Sequence, residues 1–193
     1  IRHSIWLLDR VASAKALQSM LNKHPVFKDY TVVLAAGDGR GADDDSDLVA
    51  SKASLAKVRE AIAEAEKVGG RTITLSVGQL TTGVTVPEWT AVVMLSNVTS
   101  PALYMQAAFR AQNPCTFERG DKVFQKNNAY IFDFAPERTL TIFYEFANNL
   151  HPNPSGDPGM RQDYIRTLLN FFPVLGEDAE GRMVELDASQ VLT

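Results

Sequence analysis

Five short runs rich in aliphatic and β-branched residues recur along the first part of the chain: "HSIWLL", "YTVVLAA", "RTITLS", "TAVVML" and "NAYIFDF". They read as continuous apolar stretches, the pattern of strands buried on both faces of a parallel sheet. Between them lie segments with helical spacing. "VASAKALQSMLNKH" sets Val11, Ala14, Leu17 and Leu21 along one stripe. A second helix is expected from Ser54 as N-cap, through Leu55, Val58, Ile62 and Ala65, to a stop at Gly69-Gly70. Ser100-Pro101, an N-cap followed by proline at the first helical position, opens a third through about Ala111. "ERTLTIFYEFANNL" reads as a closing helix. Strands alternating with helices imply parallel β-α-β units, so the fold class is α/β, a parallel sheet with helices on both faces. Sites in such sheets lie at the carboxyl ends of the strands. The candidates are Asp9-Arg10, Gly37 to Gly41, Ser76 to Pro87 and Ser96 to Ser100.

After Leu150 the stretch "HPNPSGDPG" reads as a linker, and the remainder suggests one helix and a short hairpin. The expected organisation is a main domain over 1–150 and a small α/β extension over 151–193. The chain starts at Ile1 and enters a strand almost at once, which reads as a piece of a longer polypeptide. No run of eighteen apolar residues and no signal peptide occur, so a cytoplasmic protein without a membrane partner is expected. A net charge of −4 argues against coating nucleic acid by bulk charge. The single Cys115 excludes an internal disulfide, and His3, His24 and His151 are far apart, so no metal site is expected.

Gly37, Gly39 and Ala42 match the spacing of a dinucleotide loop, but Asp43, Asp44, Asp45 and Asp47 would repel a pyrophosphate. A solvated acidic loop is the better reading. There is no G-x-x-x-x-G-K-[ST] loop, no Asp-Glu dipeptide and no G-x-S-x-G elbow. The chain therefore does not cleave a nucleotide by itself through the P-loop route.

Residues 76 to 113 carry the remaining chemistry. Gly83 allows close backbone approach and Pro87 stiffens the exit of the turn. Thr81 and Thr82 offer hydroxyls and amides suited to a phosphate oxygen. Farther on, Gln106 and Arg110 stand four apart on one expected helix face, with Ala107, Ala108 and Phe109 between them. A guanidinium rising from an alanine-rich helix suits bidentate phosphate contact. Taken singly, each is more often a plain turn or a surface arginine.

In order and spacing, Thr81, Thr82, Gly83, Val84, Val86 and Pro87, then Ser100, Gln106 and Arg110, resemble motifs V and VI of superfamily 2 helicases and translocases. The likeness is to the second, C-terminal RecA-like domain, and within that group to the motor subunits of type I and type III restriction enzymes. "SIWLL" with "DRVASAKAL" is similar to motif IV and its helix, so the resemblance covers roughly residues 3 to 135. It implies a RecA-like sheet of the P-loop NTPase type, without the P-loop. That loop and the metal-binding box would belong to a first RecA-like domain of the same polypeptide, which would hold most of ATP and Mg2+.

By the same resemblance, Arg110 would reach the γ-phosphate and Gln106 would couple nucleotide state to closure. Gly83 and Thr85 would face the nucleotide. Thr81, Thr82, Arg10, Ser13, Thr99 and Ser100 would contact a nucleic-acid backbone, double-stranded DNA rather than RNA. Attached nuclease or methyltransferase domains would be further partners. Three positions depart from the pattern: Thr85 replaces an aspartate, Phe109 a glycine and Asn113 the last arginine, for which Arg119 or Lys122 would have to substitute. The alternative is a catalytically degenerate RecA-like binding or interaction module. A dinucleotide enzyme built on Gly37 to Ala42 comes third.

Overall fold

All five apolar runs become strands of one sheet. A computed structural model describes residues 2–36, 44–78, 84–149 and 157–187. In chain order come β1 (His3–Leu8), α1 (Val11–Leu21), β2 (Thr31–Ala36), α2 (Asp44–Lys67), β3 (Thr72–Val77) and β4 (Trp89–Met94). They are followed by α3 (Pro101–Ala108), β5 (Thr116–Arg119), β6 (Lys122–Gln125) and β7 (Tyr130–Asp133). The helices α4 (Pro136–Asn149) and α5 (Pro158–Leu169) and the strands β8 (Leu175–Glu177) and β9 (Met183–Glu185) are the last elements among the described residues. By contacts the chain divides into two compact units. One comprises the residues through Asn97 together with Met105–Phe134; the other comprises Val98–Tyr104 and everything from Ala135 onward.

In the first unit the sheet order is β2-β3-β1-β4-β7, and every pairing is parallel. The expected α/β class is therefore the observed one. The step from β1 to β2 crosses β3 in one direction, and the step from β2 to β3 returns in the other. Right-handed crossovers then put α1 and α2 on opposite faces. Packing agrees. Ala14 and Leu21 of α1 cluster with Leu8, Ile73 and Leu75 on one face, with Trp6, Leu34 and Val77 against them. Each such aliphatic side chain contributes about 1.5–3 kcal/mol on full burial.

The opposite face meets α2 through a polar cluster at the amino ends of the strands. His3 is fully buried, with Nδ1 2.9 Å from Thr72 Oγ1 and Nε2 2.6 Å from Glu66 Oε1. Arg2 Nη1 donates to both Glu66 oxygens, at 2.8 and 3.0 Å. Burial holds the His3 ring below its ordinary pKa and outweighs the neighbouring Glu66 carboxylate, which acts the other way. In the neutral ring, Nε2–H donates to Glu66 and Nδ1 accepts from the Thr72 hydroxyl. Buried charge and buried imidazole are thus both partnered.

Two expectations change. The second helix begins at Asp44 rather than after Ser54, which lies buried in its interior. No glycine or proline falls between 44 and 67, so nothing halts the helix, while its acid-rich opening lacks the apolar period that marks a start. Its end is as expected: Gly69 takes φ 68° and Gly70 N donates to Ala65 O at 2.7 Å, the left-handed stop glycine favours. The other change is an antiparallel hairpin of β5 and β6, turned at Gly120 with φ 57°.

In the second unit α4 packs on α5, burying Ile142, Phe143 and Ala147 from one and Ile165, Leu168 and Leu169 from the other. Arg161 donates to the Tyr144 hydroxyl at 2.6 Å and lies over its ring. Asp157 caps α5 by accepting from Gly159 N at 3.0 Å. The antiparallel pair of β8 and β9 is the hairpin expected after that helix. Among the described residues no helix is long and apolar enough to cross a membrane.

Candidate functional site

Between β3 and β4 the described residues are 78 and 84–88, and they form no helix. Val84 and Val86 are buried and Thr85 between them is exposed, the alternation of an extended segment laid on a core. Trp89 N donates to Val86 O at 3.2 Å, tightening the turn through Pro87. Lys126 donates to the carbonyls of Pro87 at 2.7 Å and Trp89 at 3.0 Å. Burial pushes that ammonium below its usual pKa. The strand start is therefore pinned from two sides. Thr81, Thr82 and Gly83 lie outside the described residues, as do Gly37, Gly39 and Ala42.

The segment resembling motif VI departs from the expected helix. α3 ends at Ala108, and Phe109–Ala111 form a single 3-10 turn that holds Arg110. Gln106 and Arg110 therefore do not share one regular helical face; Gln106 is exposed and Arg110 half-buried. The cause lies just downstream. Pro114 disfavours helical geometry at Asn113, so the chain must leave the helix, and its last turn tightens. Gln112 N donates to Phe109 O at 3.0 Å, and Asn113 Nδ2 donates to Arg110 O at 3.3 Å. Asn113, standing where an arginine was expected, is thus a cap for the carbonyl of Arg110. Buried Ala107, Ala108 and Ala111 let the segment sit close to the sheet, while Phe109 is exposed.

Arg110 Nη1 donates to the Val84 carbonyl. That bond joins the two segments on which the resemblance rests, which lie 26 positions apart in sequence. Burial lowers the pKa of the guanidinium, yet an arginine stays charged in a protein. One residue on, the Thr85 carbonyl accepts from Arg59 Nη2 of α2 at 3.3 Å. Nothing in the sequence marks Arg59, an exposed arginine on a helix.

The remaining expected contacts are placed as follows. Arg10 and Ser13 are exposed at the start of α1, with Arg10 at the N-cap in extended conformation and making no side-chain cap. Beside them Asp9 Oδ2 accepts from Asn97 N at 3.1 Å, tying the carboxyl ends of β1 and β4 together. Thr99 and Ser100 belong to the second unit. Thr99 is exposed, and Ser100 Oγ accepts from Leu103 N at 3.4 Å, the N-cap read from the sequence. Among the described residues no group of three or more His, Cys, Asp or Glu could hold a metal ion. Arg119 closes β5, and Lys122 opens β6, where it is exposed.

No family model matches the chain. A curated relative from Mycoplasma pneumoniae (strain ATCC 29342 / M129 / Subtype 1) is 26% identical over 175 residues, which is 90% of this chain. It is the C-terminal part of a protein provisionally named a type II restriction enzyme and methyltransferase. The chain spans 22% of that relative's length. Among solved structures, the C-terminal part of the Fun30 ATPase domain superposes with a TM-score of 0.44 at 15% identity, covering 89% of this chain and 47% of that one. A chain from the structure of the E. coli DEAD-box protein SrmB bound to regulator of ribonuclease activity A gives 0.26 at 13%, covering 80% and 88%. Superpositions at those scores carry no weight for fold or function. The observed topology and the Mycoplasma relative are what bear on this chain.

Proposed function

We propose that this chain is the C-terminal RecA-like domain of an ATP-dependent nucleic-acid helicase or translocase of restriction type. The observation that carries the reading is the bond from Arg110 to the Val84 carbonyl, which brings the Val84–Pro87 segment and the turn after α3 into one site. The similarity to a restriction enzyme along 90% of the chain supports the setting. In this reading ATP and Mg2+ are held mainly by a first RecA-like domain elsewhere in the polypeptide. The residues here fit the phosphate and not the metal, because guanidinium and hydroxyl donors suit phosphoryl oxygens and, among the described residues, no acidic cluster could hold a metal ion.

Bound nucleotide would supply the γ-phosphoryl group whose transfer to water drives movement. Arg110 offers a fixed positive charge to the oxygens of that group, an interaction worth most where charge develops during transfer. The Val84 carbonyl orients the guanidinium, and Asn113 fixes the turn that presents it. Exposed Gln106 lies on the same segment and would sense the facing domain. Thr85 and Gly83 would border the nucleotide. Thr81, Thr82, Arg10, Ser13, Thr99 and Ser100 would grip the backbone of double-stranded DNA without reading its sequence. Nuclease or methyltransferase domains would accompany the motor in the longer, cytoplasmic protein.

The test uses the longer polypeptide that contains this chain. Arg110→Ala is expected to lower DNA-stimulated ATP hydrolysis by about 10³-fold or more. Hydrolysis within about twofold of the parent would sink the arginine's role. A second reading, a non-hydrolysing interaction module, is favoured by Asn113, which caps a carbonyl where the family pattern has a charge. It predicts DNA binding with no DNA-stimulated hydrolysis in the parent protein.

A further inference from the structure

We propose that Arg59 of α2 is a second phosphate-facing arginine of this site, acting beside Arg110 on the oxygens of a polyphosphate. The inference rests on the reading of the domain as half of a nucleotide cleft, and it names a residue that reading did not contain. Arg59 Nη2 meets the Thr85 carbonyl at 3.3 Å, and Arg110 Nη1 meets the carbonyl next to it in sequence. Two guanidiniums from different elements thus bracket one short extended segment.

The chemistry of the acceptor matters. A carbonyl is neutral, so the bond orients Arg59 without cancelling its charge. Arg2 illustrates the other outcome, with Nη1 shared between both oxygens of the Glu66 carboxylate. A guanidinium has five N–H donors in a planar fork, and one suffices for Thr85. The rest of Arg59 is exposed. Helical neighbours do not compete for it either. Three and four residues away along α2 stand Leu55, Ala56, Ile62 and Ala63, none of them acidic. Lys67 and Arg166, by contrast, each have a carboxylate at three residues' distance, Glu64 and Asp163. Arg59 is therefore an oriented cation without a helical counter-ion, one residue from the bond that fixes Arg110. The Thr85 side chain between the two held carbonyls is exposed.

The probe is inorganic tripolyphosphate, titrated calorimetrically into the 193-residue chain at low salt. Arg59→Ala is expected to weaken binding by about 10-fold or more, because a charge-assisted fork is lost. Lys57→Ala is the control. It removes one positive charge from the same helix at a position two residues away, which faces elsewhere. Its expected effect is below about twofold, the level of a screened exposed charge. Arg59→Lys keeps the charge and loses the fork, so it should fall between wild type and Arg59→Ala. Equal losses in Arg59→Ala and Lys57→Ala would reduce the effect to bulk charge and overturn the proposal. Absence of tripolyphosphate binding in the parent chain would overturn it too. Either result leaves the hydrolysis test on Arg110 untouched. Conversely, specific binding through Arg59 alongside hydrolysis indifferent to Arg110 would remove the motor reading and keep this site.

Discussion

Two arginine-bearing clusters sit on the same domain and handle charge in opposite ways. At the amino ends of β1 and β3, Arg2 and His3 converge on Glu66, and Thr72 completes the set. Around residues 84 and 85, Arg59 and Arg110 meet backbone carbonyls instead. The first arrangement neutralises a cation in a partly buried setting, which suits a structural joint between α2 and the sheet. In the second, the neutral Thr85 carbonyl orients Arg59 without cancelling its charge. A cation held on a carbonyl is poised for an anion; a cation held on a carboxylate already has one.

The contrast can be broken most forcefully at Glu66. Glu66→Ala strands Arg2 and the buried His3 together. Removing one partner of a buried pair costs about 3–5 kcal/mol. Glu66 keeps 27% of its side-chain surface exposed, so a smaller loss of about 2 kcal/mol in urea unfolding is expected. A loss below about 0.5 kcal/mol would mean that the cluster is no joint.

Acid probes the same cluster more gently. The folded-state pKa of His3 lies below the 6.5 of an unfolded imidazole. As pH falls, the unfolded chain takes up the proton first, so this group's contribution is present above about pH 6.5 and is lost through the folded-state pKa. The thermal midpoint should therefore drop between about pH 7.5 and 5.5, and His3→Gln should flatten the decline. An unchanged slope in His3→Gln would assign the dependence to other groups. The smallest effect belongs to the second cluster. Arg59→Ala should shift unfolding by no more than about 0.5 kcal/mol, as expected for an exposed polar contact. A larger change would show that Arg59 is a structural strut like Arg2, and the contrast would collapse.

The sheet was legible because strands buried on both sides leave continuous apolar runs, and β1 to β4 and β7 all carry that signature. The start of α2 was not, since Asp44 to Asp47 offer no apolar period and resemble a loop. The β5–β6 hairpin is marked in the sequence only by Gly120-Asp121, a two-residue turn pattern. Its exposed strands gave it no core signature. In the site, the sequence suggested that the segment around Val84 and the one around Arg110 belong together, and those two residues are hydrogen-bonded. The helical face shared by Gln106 and Arg110 failed because Pro114 acts through Asn113 on the turn before it. Arg59 could not be read at all, because its meaning comes from a carbonyl 26 positions away.

One margin of the sheet has a practical consequence. β7 pairs with β4 on one side only, and among the described residues its outer edge has no strand partner. On this strand Tyr130 and Phe132 are 45% and 42% exposed, with their rings stacked 6.4 Å apart, and Phe134 just beyond it is 74% exposed. An open, aromatic strand edge invites pairing with another copy. For the chain handled by itself, the solution hazard is self-association that grows with concentration. Because the attraction there is apolar, added sulfate should worsen it, whereas an inward lysine on β7 should cure it.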